Sequence, residues 1–352
     1  MNMAFENFRE PEQFEIIFDK ESGLEAVIAI HSTSLGPAAG GCRFWTYDDI
    51  EAAKIDAFRL AEGMSFKNAL AGLPLGGGKA VIRKPARDFH RDTLFRAFGR
   101  AVARLEGRYV TAEDVGTSVA DMLVVSQETK NVAGLPTQDL KPGGDPSPWT
   151  ARGVFLSIES SVRRRLGREL RDCVVGIQGL GHVGFSLAKM LHDAGARLVV
   201  ADISAERADR AAVELGATVS SADEILSAEI DVFAPCALGA VLSDKTIGTI
   251  RAKVICGAAN NQLATDEDGL RLANRDILYA PDYVVNAGGI INVAAEYLGW
   301  TSEQAKALVE ATALRLNQIY DLAEASGAAT HEAANRAAKA IITSRRETSM
   351  VA

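Results

Sequence analysis

The stretch that most constrains this chain is VVGIQGLGHVGFSLAKMLHDAGARLVVAD, residues 174–202. An apolar run ends in glycines, a segment with apolar residues at helical spacing follows, and a second apolar run closes the unit. IDVFAPCA, KVICGAANN and ILYAPDYVVN add three more apolar runs, joined by helical or loop stretches. Alternation of that kind predicts a parallel, doubly wound sheet with helices on both faces.

The glycines at 179, 181 and 184 have the GxGxxG spacing of a dinucleotide-binding turn. Gly179 permits a tight turn, Gly181 lets a pyrophosphate approach the backbone, and Gly184 lets helix and strand pack closely. Leu180, His182 and Val183 complete the loop, whose helix N-terminus faces the phosphates. Asp202 ends the next strand, where its carboxylate can accept hydrogen bonds from ribose hydroxyls. A 2′-phosphate there would be repelled, which favours NAD over NADP, although the nearby cation of Arg207 works the other way. The bland alternative is an ordinary glycine turn with Asp202 a solvated strand end. We expect an NAD-binding Rossmann domain.

The first part of the chain is less regular. FEIIFDKESGLEAVIAIH reads as a hairpin, the segment from Asp49 to Gly72 as a helix carrying Lys67 near its C-terminal side, and KAVIRK as a short strand. DTLFRAFGRAVARLEG is helical, and RYVTAEDVGTS is a strand ending in a polar turn. DLKPGGDPSPWT, residues 139–150, is dense in Pro and Gly and marks the best boundary. The expected division is an α/β substrate and oligomerisation domain over 1–145, the Rossmann domain over 146–325, and C-terminal helices over 326–352.

Bulk properties narrow the function. With 352 residues and a net charge of -8, the chain has no general attraction to nucleic acid or anionic membrane. No window approaches a membrane span, and the polar, acidic N-terminus MNMAFENFREPEQFE is unlike a signal peptide, so the expected location is cytoplasmic. Cys42, Cys173, Cys236 and Cys256 are far apart without a CxxC pair, and the five histidines form no HxxH or HExxH arrangement. Neither a disulfide framework nor a metal site is expected.

GLPLGGGKAVIRKP, residues 72–85, raises the question of chemistry. A Walker loop would need Gly at 73 and a hydroxyl at 80, where Leu73 and Ala80 stand. What remains is two lysines, Lys67 and Lys79, and an acid, Asp114. If their segments converge, one ammonium can hold a carboxylate while its field lowers the pKa of the other, making that lysine a base. The glycines beside Lys79 are expected to let a substrate approach closely. Taken singly, each lysine would read as a solvated surface ammonium.

LGPAAGGCRFW, MSFKNALAGLPLGGGKAVI, TAEDVGTS, GLGHVG, APCALGA, GAANNQL and APDYVVNAGGIINVA stand in unbroken order from about residue 15 to 340. Together they resemble the amino-acid dehydrogenase superfamily of glutamate, leucine, phenylalanine and valine dehydrogenases. The resemblance implies that Lys67 binds the substrate α-carboxylate with the backbone of Gly40 and Gly41, and that Lys79 is the catalytic base. It implies that Asp114 exchanges protons with the substrate nitrogen, that Asn260 helps position substrate and nicotinamide, and that Thr150 contacts the nicotinamide amide. Ile203, Cys236, Ala237 and Asn286 complete the expected cofactor set. The implied reaction is oxidative deamination. Hydride leaves Cα for the nicotinamide, water activated by Lys79 attacks the iminium, and the carbinolamine collapses to a 2-oxo acid and ammonia. The resemblance further implies an active site in the cleft between two domains, C-terminal helices packing back on the first, and a homo-oligomer.

The glutamate branch holds the distal carboxylate with a lysine just before the GG pair and a serine seven residues after the Asn of NAGG. Here those positions are Ala39 and Val293, which would leave a glutamate side chain unpaired at a cost of several kcal/mol. Ala39, Ala112, Ile290 and Val293 would instead line an apolar pocket. The phenylalanine branch often has Gly where Ala112 stands, which favours leucine, valine or isoleucine. The leucine branch often has Leu at the position of Ala39, which keeps phenylalanine open. A catalytically silent nucleotide-binding protein is the alternative from another class, and intact Lys67, Lys79, Asp114 and Asn260 argue against it.

Overall fold

The computed structural model describes residues 10–136, 142–237 and 239–351, with backbone alone over 346–351. The segment MNMAFENFR, residues 139–141 of the Pro/Gly-rich boundary and Leu238 of APCALGA lie outside the described residues.

The chain divides into two compact units. One comprises residues 1–145, 290–305 and 338–352, the other 146–289 and 306–337. This departs from a single run over 146–325: residues 290–305, with Ile290 and Val293, belong to the first unit. So does 338–352, whereas 326–337 stays with the second.

The first unit begins with β1 (Gln13–Asp19) and β2 (Leu24–Ser32), the expected hairpin, followed by β3 (Ala38–Ala39), β4 (Cys42–Trp45), α1 (Ile50–Leu70), β5 (Gly76–Arg83), α2 (Arg91–Arg104), β6 (Tyr109–Val110) and α3 (Val119–Ser126). Asp49 caps α1 by accepting from Ala52 N, satisfying one of the free N–H groups of its first turn. The sheet order is β1-β2-β5-β3-β6, with β4 also paired to β5. Alternation along β2 explains its two faces. Ala26, Ile28 and Ile30 join a core with Leu94, Phe95 and Phe98 of α2. Val27 and Ala29 instead join Ala53, Ala57 and Ala61 of α1. Small residues on α1 bring that helix close to the sheet.

The glycines of GLPLGGGKAVIRKP at 76–78 belong to the strand. Gly76, Gly77 and Gly78 are buried residues of β5, and a Cβ on each would meet Ser32 O at 1.9 Å, Ser65 N at 2.1 Å and Tyr109 Cδ2 at 2.8 Å respectively. The space expected for a substrate is therefore filled by the protein itself. Glycine at 77 lets the backbone of α1 pack directly on the strand that carries Lys79.

The second unit contains α4 (Ser147–Leu166), β7 (Val174–Gln178), α5 (His182–Asp193), β8 (Arg197–Ala201), α6 (Ala205–Leu215), β9 (Thr218–Val219), α7 (Glu224–Ser227), β10 (Val232–Pro235), α8 (Asp244–Ile247), β11 (Val254–Ile255), α9 (Asp266–Asn274), β12 (Leu278–Tyr279) and α10 (Asp282–Val285). The remaining helices are α11 (Gly288–Leu298), α12 (Ser302–Glu310), α13 (Thr312–Ser326) and α14 (Thr330–Val351). Its sheet order is β12-β11-β10-β7-β8-β9, parallel throughout. This is the doubly wound Rossmann arrangement the alternation predicts. The edge strand β9, short and exposed, carries too little apolar signal to be seen in the sequence.

Candidate active site

In the first unit, parallel pairing sets Cys42 of β4 opposite Ala80 of β5 and bridges Cys42 to Glu113. The turn after β6 is stitched down at several points. Cys42 N donates to Ala112 O at 2.8 Å, Phe44 N to Val115 O at 2.9 Å, and Thr117 Oγ1 to Cys42 O at 3.0 Å while accepting from Asp114 N at 2.8 Å. Gly41 is required here, because a Cβ would lie 2.5 Å from Glu113 O and 2.9 Å from Asp114 Cβ.

This stitching brings Asp114 to Lys79, with Nζ 3.0 Å from Oδ2. The Lys79 side chain is only 6% exposed, so the ammonium depends on this carboxylate. Arg43, which belongs to neither the lysine motif nor the nucleotide turn, donates from Nε to the same oxygen at 3.2 Å. Its Nη1 donates to Asp56 Oδ2 at 2.9 Å, and Tyr47 Oη donates to that Asp56 oxygen at 2.6 Å. Burial works to raise the pKa of Asp114, but Lys79 and Arg43 outweigh it and hold the carboxyl below its usual range. Burial raises its neighbour Glu113, helped by the charge of Asp145. Arg43 was legible only as part of GGCRFW; its partners come from α1 and from a turn about seventy residues on.

Lys67 sits in the last turn of α1. The following residue, Asn68, is fully buried and donates from Nδ2 to Gly76 O at 2.6 Å and Ala39 O at 3.4 Å. Gly40 lies in the same layer, where a Cβ would meet Gly78 O at 1.9 Å. Lys67, Gly40 and Lys79 thus belong to one tightly packed strand–helix layer. Ala39 and Ala112 are buried, and Ile290 and Val293 are half-buried on α11. That helix is tied to the segment between α3 and α4. Glu296 accepts from Gly134 N and Leu135 N at 2.8 and 3.0 Å, while Asn292 exchanges two hydrogen bonds with the backbone of Gly143.

The glycine loop of the second unit behaves as its spacing predicts. Gly179 has φ +100°, a conformation L side chains rarely adopt. A Cβ on Gly184 would meet Gly179 O at 2.0 Å, whereas a Cβ on Gly181 meets nothing within 4 Å. The open position is the one a phosphate would approach. Gly181 also caps α5 without a side-chain hydrogen bond, so the loop offers backbone donors such as those of His182 and Val183. Asp202 accepts from Leu180 N at 2.6 Å and Ser204 N at 2.8 Å, and Arg207 Nη1 lies 3.9 Å from it. Ile203 beside it is 99% exposed, an apolar face suited to a base. Cys236 and Ala237 abut the loop, 2.7–2.9 Å from a Cβ on Gly179. These residues fit a dinucleotide.

A second group forms around the NAGG turn. Asn286 donates from Nδ2 to Asn260 Oδ1 at 2.9 Å and to Ala258 O at 3.1 Å. Gly289 leaves room for Thr150, whose Oγ1 would be 2.9 Å from a Cβ there. Asn260, Asn286 and Thr150 are therefore gathered by one short segment. Among the described residues, no group of three His, Cys, Asp or Glu side chains could hold a metal ion, and no helix is long and apolar enough to cross a membrane.

The dimerisation domain of Glu/Leu/Phe/Val dehydrogenases matches residues 11–131, and the Glutamate/Leucine/Phenylalanine/Valine dehydrogenase model matches residues 200–348. The chain belongs to this Glu/Leu/Phe/Val dehydrogenase family. Like other members, it is an amino-acid dehydrogenase that depends on a nicotinamide nucleotide. It is 47% identical over 338 residues to leucine dehydrogenase of Thermoactinomyces intermedius, covering 96% of this chain and 92% of that protein. Leucine dehydrogenase of Bacillus cereus is 46% identical over 343 residues, covering 97% and 93%. The crystal structure of L-tryptophan dehydrogenase from Nostoc punctiforme superposes with a TM-score of 0.83 at 41% identity, covering 96% of this chain and 97% of that one.

Proposed function

We propose that this dehydrogenase catalyses the NAD-dependent, reversible oxidative deamination of a branched aliphatic L-amino acid, leucine, valine or isoleucine, to the 2-oxo acid and ammonia. The observation that carries this reading is the 3.0 Å contact between the buried Lys79 and the half-buried Asp114, within a family of amino-acid dehydrogenases.

Lys67 is assigned to the substrate α-carboxylate with the backbone N–H groups of Gly40 and Gly41, a charge-assisted pairing that fixes Cα. A bound nicotinamide would supply the hydride acceptor. Asp114 takes a proton from the substrate ammonium so that the nitrogen lone pair can form the iminium. Lys79 then removes a proton from water as it adds to that carbon, Asp114 returns its proton to the nitrogen, and the C–N bond breaks to release ammonia as the hydroxyl proton passes back to Asp114 and the Lys79 ammonium stabilises the developing oxyanion. Asn260 and Thr150 orient the reacting partners.

Three observations support the finer choices. Asp202 lies where a 2′-phosphate would meet a carboxylate, which favours NAD. Ala39, Ala112, Ile290 and Val293 offer a distal carboxylate no cation, which disfavours glutamate. The leucine dehydrogenases above are 46–47% identical to this chain, against 41% for the tryptophan enzyme. A homo-oligomer is proposed as well, on the description of the matched N-terminal domain as a dimerisation domain. A panel of L-amino acids with NAD or NADP, followed through absorbance of the reduced nucleotide, tests the reading. Highest kcat/KM on leucine, valine or isoleucine with NAD is expected; a maximum on glutamate, or unchanged turnover in Lys79→Ala, would overturn it.

A further inference from the structure

A lysine that serves as a base must spend part of the cycle neutral. Asp114 is the ionic partner of Lys79 at 3.0 Å, and a carboxylate in this half-buried site needs another cation whenever that base is neutral. Arg43 supplies what the pair lacks. Its Nε reaches the same Oδ2 of Asp114 at 3.2 Å, and a guanidinium keeps its charge throughout the working pH range. When Lys79 gives up its proton, Asp114 still faces a cation.

The guanidinium is itself clamped. Nη1 is 2.9 Å from Asp56 Oδ2, Tyr47 Oη holds that oxygen at 2.6 Å, and Arg59 Nη2 reaches the other Asp56 oxygen at 3.4 Å. Two edges of one planar fork therefore meet two carboxylates, a geometry a single lysine nitrogen cannot reproduce. Other titratable groups face Asp114 from the elements around it: Cys42 on β4 and Tyr109 on β6, both pushed up and kept neutral chiefly by burial, and the neighbouring Glu113. Beyond Cys42, Arg91 and Asp121 pair with each other at 2.6 Å.

We infer that Arg43 is a positioning residue for the proton transfers: clamped by Asp56, it fixes Asp114 against Lys79 and lets Lys79 cycle between ammonium and amine. This rests on the deamination reading. It extends that reading to a side chain that neither the glycine-rich lysine motif nor the nucleotide turn contains.

The test compares the full-length protein with Arg43→Gln and Arg43→Lys, measuring pH profiles of kcat and kcat/KM for L-leucine deamination and reduced-nucleotide binding by fluorescence. Removing a cation raises the pKa of every group beside it, whichever one limits the rate. Arg43→Gln should therefore move the whole profile about one pH unit alkaline and lower kcat at neutral pH about tenfold or more. Arg43→Lys keeps the charge and loses the fork, so its profile should stay in place while kcat falls several-fold. Nucleotide binding should be unchanged in both. A profile for Arg43→Gln that superimposes on the wild type overturns the inference. If that variant does not fold, a wild-type kcat in Arg43→Lys overturns it. Absence of turnover in the wild type with every amino acid would refute the functional reading instead.

Discussion

Replacing Asp114 by Asn isolates one charge. Lys79 and Arg43 both contact the same oxygen, Oδ2, so an amide can leave its oxygen there and turn its nitrogen away. The hydrogen-bond geometry survives and only the charge is lost. Near 4 Å between charge centres and at an effective dielectric of about 20, each cation gives about 4 kcal/mol. Desolvation of the carboxylate and the 20% exposure of both Asp114 and Arg43 take back much of this. We expect a local destabilisation of about 3 kcal/mol. Hydrogen exchange of the amides in 76–83 and 109–117 reads it directly and should quicken about a hundredfold in Asp114→Asn at pH 7. Because the folded-state pKa of Asp114 is depressed, this stability is fully present above the ordinary carboxylate pKa and is lost as pH falls through the folded value. The gap between variant and wild type should therefore be the same at pH 6 and pH 8 and close only below about pH 4. Turnover should fall at least about a hundredfold. Wild-type exchange protection in the variant at pH 7 would refute the ionic account of the site.

Gly77→Ala should destabilise the first unit by about 1–3 kcal/mol, since its Cβ would sit 2.1 Å from Ser65 N; urea unfolding checks this, together with a raised KM if α1 and Lys67 are displaced. Asn292→Ala removes both hydrogen bonds to Gly143 and should cost about 1–3 kcal/mol while relaxing the preference between leucine and larger side chains in a kcat/KM panel. Burial depresses the pKa of His331 despite the nearby Asp266 and Glu332 carboxylates. Its contribution is therefore complete above the ordinary imidazole value and is lost as pH falls from there through the folded pKa. His331→Gln should flatten the fall in stability as pH drops below about 6.5, measured by thermal unfolding.

The parts of this protein written locally were the most legible. GLGHVG carries its conformation in adjacent residues, so Gly179 in a positive-φ turn, Gly184 against its carbonyl and Gly181 left open follow from spacing alone. The strand–helix alternation determined the parallel sheet for the same reason: each run buries its own apolar face. Asp49 as a cap and Lys67 near the end of α1 also needed only neighbours.

What depends on through-space approach was decided by the tertiary structure. GGGK read as room for a substrate, yet its glycines admit Ser32, Ser65 and Tyr109, because the sequence does not say which backbone arrives at an open Cβ position. Residues 290–305 are continuous in sequence with the nucleotide unit but cluster with the first one, since compactness is a property of contacts that distant segments share. Arg43, outside both the lysine motif and the nucleotide turn, became a partner of Asp114 only when β4 and the turn after β6 were laid side by side. The residue types that can carry the chemistry were visible from the start; their protonation depends on Coulomb terms that fall off over a few ångströms, and those distances exist only in the folded chain.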